Sequence, residues 1–175
     1  MKLLVLNSTP LIYLTKIGLS TLFGNLEEKK LTTPTVKREV VDEGKRKNIP
    51  DAAVIEKLIQ DGFLEICEPK DKQFLSALQE TRGLHIADAE VLVLAREKNG
   101  LAIVDDEVAR KTAKVYGVNY AGSPYILMRA ICEKLISKER AKQAFNDMLS
   151  AGWRCSVESY VKIMGALDKL GSTGT

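Results

Sequence analysis

Residues 3–18 read LLVLNSTPLIYLTKIG. Four apolar residues, Leu3 to Leu6, run without a break into Asn7-Ser8-Thr9-Pro10, and apolar residues then recur at Leu11, Ile12, Leu14 and Ile17 before Gly18. A short unbroken apolar run bounded by turn-formers predicts a strand buried on both faces, and the three-and-four spacing after it predicts an amphipathic helix. Pro10 just inside the start and Gly18 just past the end match the polarity of helix termini, with Thr9 as the expected cap. A buried strand that stops at a polar cluster and turns directly into a helix is the building unit of α/β proteins.

The alternation repeats. Leu31-Thr32-Thr33 is a weak strand; Pro34 opens a helix carrying Val36, Val40 and Val41, which Gly44 is expected to end, leaving Lys45-Arg46-Lys47-Asn48 as an exposed basic loop. Ala52 to Gln60 reads as a helix closed by Gly62, Phe63 to Cys67 alternates as a strand, and Lys72 to Glu80 is helical up to Gly83. In HIADAEVLVLAREKNG, residues 85–100, Ala87, Val91, Leu92, Leu94 and Ala95 pack one side of a helix that Asn99-Gly100 stops. Leu101 to Val104 is a second buried strand, ending at Asp105-Asp106. Glu107 to Tyr116 is a helix, Val118 to Tyr120 a short strand, and Gly122-Ser123-Pro124 opens a helix through Ile131. Lys138–Leu149 and Ser156–Leu170 follow as two amphipathic helices joined across Gly152-Trp153. Together these predict an α/β fold of three layers, α/β/α, around a parallel sheet of four or five strands, with helices added at the C-terminus.

Length and composition agree with one domain. The chain has 175 residues, 45% apolar and 28% charged, enough to bury a core without disulfides or structural metal. Cys67, Cys132 and Cys155 are odd in number and far apart, so they are expected as reduced, buried packing thiols of a cytoplasmic protein. Only four apolar residues follow Lys2 before Asn7, short of the roughly 7–15 of a secretory core. No run nears the roughly 18 that cross a membrane. A net charge of +3 neither requires nor excludes a nucleic-acid partner. A single histidine, His85, argues against histidine-rich zinc sites and histidine-based triads.

In open α/β sheets, ligands gather at the carboxyl ends of the strands. The polar residues there are Asn7, Ser8 and Thr9 after the first strand, and Asp105 and Asp106 after Val104. Glu39, one turn into the helix opened by Pro34, and Asp88, near the start of its helix, reach the same end if the crossovers are right-handed. Clustered carboxylates repel one another unless a cation lies among them. Carboxylate and amide oxygens suit a hard ion such as Mg²⁺ or Mn²⁺, which makes Asn7, Glu39, Asp88, Asp105 and Asp106 the candidate metal ligands. One or two such ions activate water and stabilise the leaving oxygen of a phosphodiester. Singly, each residue has an ordinary structural role open to it: Asn7, Thr9, Asp105 and Asp106 as caps, Asp88 as a first-turn carboxylate, Glu39 on a helix surface. His85 is expected near the site, in a loop or at the start of its helix. Lys37 and Arg38 flank Glu39, and Arg110 and Lys111, with Lys114, follow Asp105-Asp106, placed to meet phosphates or simply solvated. At 6% aromatic, the chain presents no evident stacking platform for single strands.

In that order, these residues resemble the PIN-domain family of metal-dependent nucleases, which includes the VapC-type toxins. The family pattern is an acid ending the first strand, a glutamate on a following helix, an aspartate early in a mid-chain helix and an aspartate after the fourth strand. Asn7, Glu39, Asp88 and the pair Asp105-Asp106 stand in those places. The stretches NSTPLIYLTKIG (7–18), PTVKREVV (34–41), DDEVARKTA (105–113) and YAGS (120–123) are most similar to a prokaryotic PIN-like branch with asparagine at the first acidic position. The resemblance is good over residues 1–125 and loose beyond. It implies a PIN-like domain over 1–135 and a helical extension of the same domain over 136–170; the tail GSTGT, 171–175, is expected to be disordered from its own composition. Two other α/β families fit worse. A haloacid-dehalogenase-like phosphatase needs a DxD nucleophile where NST stands, and a receiver domain needs an aspartate where Glu68-Pro69 stands.

The resemblance further implies a Mg²⁺- or Mn²⁺-dependent ribonuclease with Glu39, Asp88 and Asp106 catalytic, RNA as substrate and a homodimer. If the chain is the toxin of a toxin–antitoxin pair, an antitoxin protein is a further partner. The departure is Asn7, which offers a neutral amide oxygen where the family carries a carboxylate and so lowers the expected metal affinity. The alternative expectation is a catalytically weak or inactive PIN-fold protein that binds RNA or a protein.

Overall fold

Strand β1 (Leu3–Leu6) leads through α1 (Ser8–Lys16) and the short α2 (Leu22–Asn25) to β2 (Lys29–Thr32). This is a computed structural model, and it describes residues 3–170; the tail expected over 171–175 lies outside the described residues. A continuous helical path then runs from α3 (Pro34–Lys37) through a π-helical segment (Arg38–Asp42) into α4 (Glu43–Arg46). Next come α5 (Asp51–Gln60), β3 (Glu65–Ile66), α6 (Lys72–Gln79), α7 (Ile86–Glu97) and β4 (Leu101–Ile103). The chain ends with α8 (Glu107–Val115), β5 (Tyr120–Ala121), α9 (Pro124–Cys132), α10 (Lys138–Ser150) and α11 (Val157–Lys169).

The five strands form one parallel sheet in the order β3-β2-β1-β4-β5. β1 is central, with Leu4 opposite Lys30 of β2 and Leu101 of β4. Leu4, Val5 and Leu6 are at most 1% exposed, the two-sided burial that their unbroken apolar run requires. Right-handed crossovers place α1 and α5, which pack together, on one face of this order, and α6, α7 and α8 on the other. The three-layer α/β/α expectation is met. α7 is buried along nearly its whole length, from Ala87 to Ala95, which explains why its apolar residues do not keep to one stripe.

Several boundaries differ from the sequence reading, each for a physical reason. Gly44 does not end its helix. It is buried, and a Cβ there would stand 2.8 Å from the Cβ of Ala52, so the glycine lets α4 approach α5. The helix runs on through Arg46, and the expected basic loop begins only at Lys47, with Asn48 at φ 55°. Asn7, not Thr9, caps α1. β3 shrinks to two exposed edge residues, and β5 falls at Tyr120–Ala121 because the Val118 N–H still donates to the Ala113 carbonyl at the end of α8, at 2.8 Å. The cysteines are not interior: Cys132 is exposed, and Cys67 and Cys155 are half-buried. Among the described residues no helix is long and apolar enough to cross a membrane.

The C-terminal helices share the main core. Ala141, Ala144, Phe145 and Met148 of α10 are fully buried, and α10 packs on α9 and α1. Phe145 meets Trp153 edge-on and Tyr160 in a stack, both at 5.6 Å between ring centroids, and these contacts close α10 and α11 into a hairpin. Replacing Phe145 with alanine is expected to cost about 3–5 kcal/mol in denaturant unfolding through one cooperative transition; a loss under 1 kcal/mol would show the hairpin to be peripheral.

Candidate metal and nucleic-acid site

The site begins where β1 ends. The Asn7 N–H donates to the Ile103 carbonyl at 3.3 Å, and the buried Thr32 hydroxyl donates to the Leu6 carbonyl at 2.8 Å. Asn7, 8% exposed, is thereby held between the ends of β2 and β4. Its Oδ1 accepts from the Ser8 N–H at 2.7 Å as the cap of α1. With the oxygen facing a backbone donor, the Nδ2 group faces a carboxylate and donates to Asp88 Oδ1. Asn7 thus turns its amide nitrogen, not its oxygen, toward the acids.

Asp88 sits in the first turn of α7, 3% exposed, just after His85, the residue at the N-cap. Its carboxyl is pushed up from 3.8 to about 6, above all by burial, then by Asp106 and to a smaller extent by Glu39 and Asp105, while His85 opposes the rise. Asp88 therefore lies close enough to Asp106, Glu39 and Asp105 to feel the charge of each. Glu39 lies in the π-helical segment, a widened turn typical of functional positions, and accepts from the Ser8 hydroxyl.

The neighbouring aspartates part company. Asp106 is exposed and caps α8, its Oδ1 accepting from the Ala109 N–H at 3.0 Å. Asp105 turns inward: Oδ1 accepts from the Ser123 N–H at 2.8 Å and Oδ2 from the Ser123 hydroxyl. Burial pushes the Asp105 carboxyl up, against the Ser123 bonds, the nearby Trp153 indole and Arg110. The Trp153 N–H lies close enough to act on the carboxylate without completing a hydrogen bond. A Cβ at Gly122 would meet Asp105 Oδ1 at 2.9 Å, so the glycine of YAGS is what lets the carboxylate reach Ser123. Ser123, Gly122 and Trp153 were not legible as site residues; only the unexplained YAGS motif hinted at the first two.

Asp88 Oδ2, Asp106 Oδ2 and Glu39 Oε1 accept no hydrogen bond among the described residues. They are hard oxygen donors in a cluster whose mutual repulsion a divalent cation would relieve, so the residues fit such an ion chemically. Among the described residues no three His, Cys, Asp or Glu side chains converge into a complete ligand set. The arrangement therefore suits an ion that keeps much of its water and takes one or two carboxylates, the habit of Mg²⁺. Of the expected phosphate contacts, Lys37 pairs with Asp42 at 2.5 Å and Lys111 with Glu107 at 2.6 Å. Arg38 is exposed and makes no ion pair among the described residues. The Arg110 guanidinium lies 5.7 Å from the centroid of the Tyr120 ring.

Asp88 makes the fold pH-dependent. With its carboxyl near 6 in the folded state and near 3.8 unfolded, the folded state holds the proton more tightly. Stability is therefore greatest below about 4 and falls as pH rises through about 6, by on the order of 3 kcal/mol at neutrality. Asp88→Asn, which still accepts from Asn7, is expected to melt higher than wild type at pH 7.5 in EDTA. The gap should shrink toward pH 4 and narrow on adding Mn²⁺; a gap indifferent to both would contradict this account.

No curated protein matches the chain. A protein-family profile described as a PIN domain matches residues 3–169, and so takes in the C-terminal hairpin as well as the sheet. With the parallel five-stranded order and the acids gathered at its carboxyl edge, the chain belongs to the PIN-domain family.

Proposed function

We propose that the protein is a Mg²⁺- or Mn²⁺-dependent ribonuclease that hydrolyses RNA phosphodiester bonds. The observation that carries this reading is Asp88, a nearly buried carboxyl pushed up to about 6 by burial and by three neighbouring acids at the ligand-binding edge of the sheet. Asp88, Asp106 and Glu39 would hold the ion, one or two of them directly and the rest through its water. When bound, it supplies Lewis acidity toward a phosphoryl oxygen and lowers the pKa of water. Asn7 orients Asp88, and Ser8 orients Glu39, each through a hydrogen bond already made before any ligand arrives. Asp105 acts as a brace beside the site, through Ser123. Lys37, Arg38, Arg110 and Lys111 meet the phosphates on either side. RNA cleavage in Mn²⁺ is expected for wild type and to fall at least a hundredfold in Asp88→Asn; equal rates, or no cleavage of any RNA, would overturn the assignment.

The setting we propose for this activity is the toxin of a toxin–antitoxin pair in the cytoplasm, working as a homodimer and silenced by an antitoxin, as the resemblance to VapC-type toxins suggests. Growth arrest on expression, relieved by the product of an adjacent gene, is the corresponding test.

A second reading has one specific observation in its favour. Asn7 satisfies Asp88 with an amide N–H where a charged ligand would otherwise compete for the ion. On that reading the protein binds RNA or a partner with little or no catalysis. Calorimetric titration with Mn²⁺ separates the two: tight binding lost in Asp88→Asn favours the nuclease. Weak binding that Asn7→Asp strengthens tenfold or more favours the binding module.

A further inference from the structure

Glu39 and Asp88 reach the carboxyl edge of the sheet from different helices. They can share an ion, or the water around it, only if those helices keep a fixed separation. The helical path that carries Glu39 packs on α1 and α5, and its first segment, α3, also touches α7, which carries Asp88. Among the described residues a single side-chain hydrogen bond joins the two: the Thr35 hydroxyl donates to Glu90 Oε1 at 2.8 Å. We propose that the Thr35–Glu90 bond is the clamp that sets the Glu39–Asp88 separation, which makes both its members positioning residues for the ion site. The clamp deepens the ribonuclease reading and rests on its assignment of Glu39 and Asp88 as ion ligands.

The start of α3 is fixed first to the sheet and then to α7. Thr32, wholly buried, donates to the Leu6 carbonyl at 2.8 Å, and Thr33 caps α3 by accepting from the Val36 N–H at 3.4 Å. Thr35, 6% exposed, comes next and reaches across to α7. Glu39 follows one turn later, inside the π-helical segment. Helices bend at π-helical turns, so the anchoring of the turn before it places Glu39 as much as its own bond from Ser8 does.

On α7, Glu90 stands two residues after Asp88, about 200° around the helix, so the two carboxylates leave the same turn in nearly opposite directions. Asp88 is held from β1 by Asn7, and Glu90 from α3 by Thr35. One turn of α7 is thus gripped from two sides. Glu90 stands among Ala87, Ala89, Val91 and Leu92, all buried and apolar. Its Oε2 is shielded from water and accepts no hydrogen bond among the described residues. A carboxylate oxygen without a donor costs free energy that an apolar side chain of similar size would not, so stability alone does not account for this residue. What the pair supplies is direction: one hydroxyl and one acceptor meet in one arrangement of the two helices, where apolar contacts would tolerate several.

The test is calorimetric titration of the full chain with Mn²⁺, alongside thermal unfolding in EDTA. Thr35→Val removes the hydroxyl and keeps the shape, and Glu90→Met removes the acceptor. Each is expected to bind Mn²⁺ about tenfold more weakly than wild type. Thr35→Ser keeps the hydroxyl, and Glu90→Gln drops the charge while keeping the acceptor; both are expected to bind as wild type does. Ile55→Val, in the buried face of α5, is expected to melt lower with Mn²⁺ affinity unchanged, which separates lost stability from lost position. Unchanged affinity in Thr35→Val and Glu90→Met, whatever their melting temperatures, would overturn the clamp. So would an equal loss in Ile55→Val, or in Thr35→Ser and Glu90→Gln. RNA cleavage with unchanged kcat in Thr35→Val at limiting Mn²⁺ overturns the clamp and leaves the ribonuclease reading intact. Mn²⁺ affinity that responds as expected, with no RNA cleaved, supports the clamp and removes the ribonuclease.

Discussion

β1 has a neighbour on each side and a helical layer on each face, and everything functional hangs from its carboxyl end. Leu4, Val5 and Leu6 have essentially no contact with solvent. A strand so enclosed cannot slip in register without exposing apolar surface, at roughly 25 cal/mol for each Å². Asn7 is therefore placed by the core, not by its own contacts. The same argument extends to the ends of β2 and β4, which are paired to β1 and deliver Thr33 and Asp105 to the same edge.

The acids at that edge are held apart and together at once. Each accepts a hydrogen bond: Asp88 from Asn7, Glu39 from Ser8, Asp105 from Ser123 and Asp106 from the N–H of Ala109. Donors of this kind offset part of the repulsion among carboxylates, yet Asp88 still sits near 6 because burial strips it of water. An aspartate in place of Asn7 would present a carboxylate where the amide now donates. The amide keeps the cluster folded without a cation, and it also removes one charged ligand. Asn7 thus bears on both stability and metal affinity, with opposite signs.

Asp105 links the two halves of the molecule. Through Ser123 it ties the end of β4 to the start of α9, and the indole of Trp153 lies beside it at the turn between α10 and α11. Gly122 permits the first contact, and the Phe145–Trp153–Tyr160 cluster secures the second. The C-terminal hairpin is thereby coupled to the edge that carries the acids.

Much of this was legible in the residues. The run LLVL before NST specified a central buried strand because only two-sided burial accounts for four consecutive apolar residues. The alternation that follows specified a parallel sheet, and a right-handed crossover gave the reason to expect Asn7, Glu39, Asp88 and Asp105-Asp106 near one edge. What escaped were the contacts set by distant neighbours. Gly44 reads as a stop signal and is a packing contact, since only the approach of Ala52 reveals the need for a missing side chain. The π-helical turn at Glu39 has no local signature. Asp105 and Asp106 are chemically identical in sequence, and only the positions of Ser123 and Ala109 separate a buried brace from an exposed cap. Ten scattered aromatics gave no hint that Tyr120, Tyr125 and Trp153 share a groove. Periodicity and polarity are local properties, so the sequence by itself determined most of the elements, though not the short α2, and their order. Hydrogen-bond partners and close approaches join residues far apart in the chain, so only the tertiary structure decided which acid is free, which is spent, and where the groove runs.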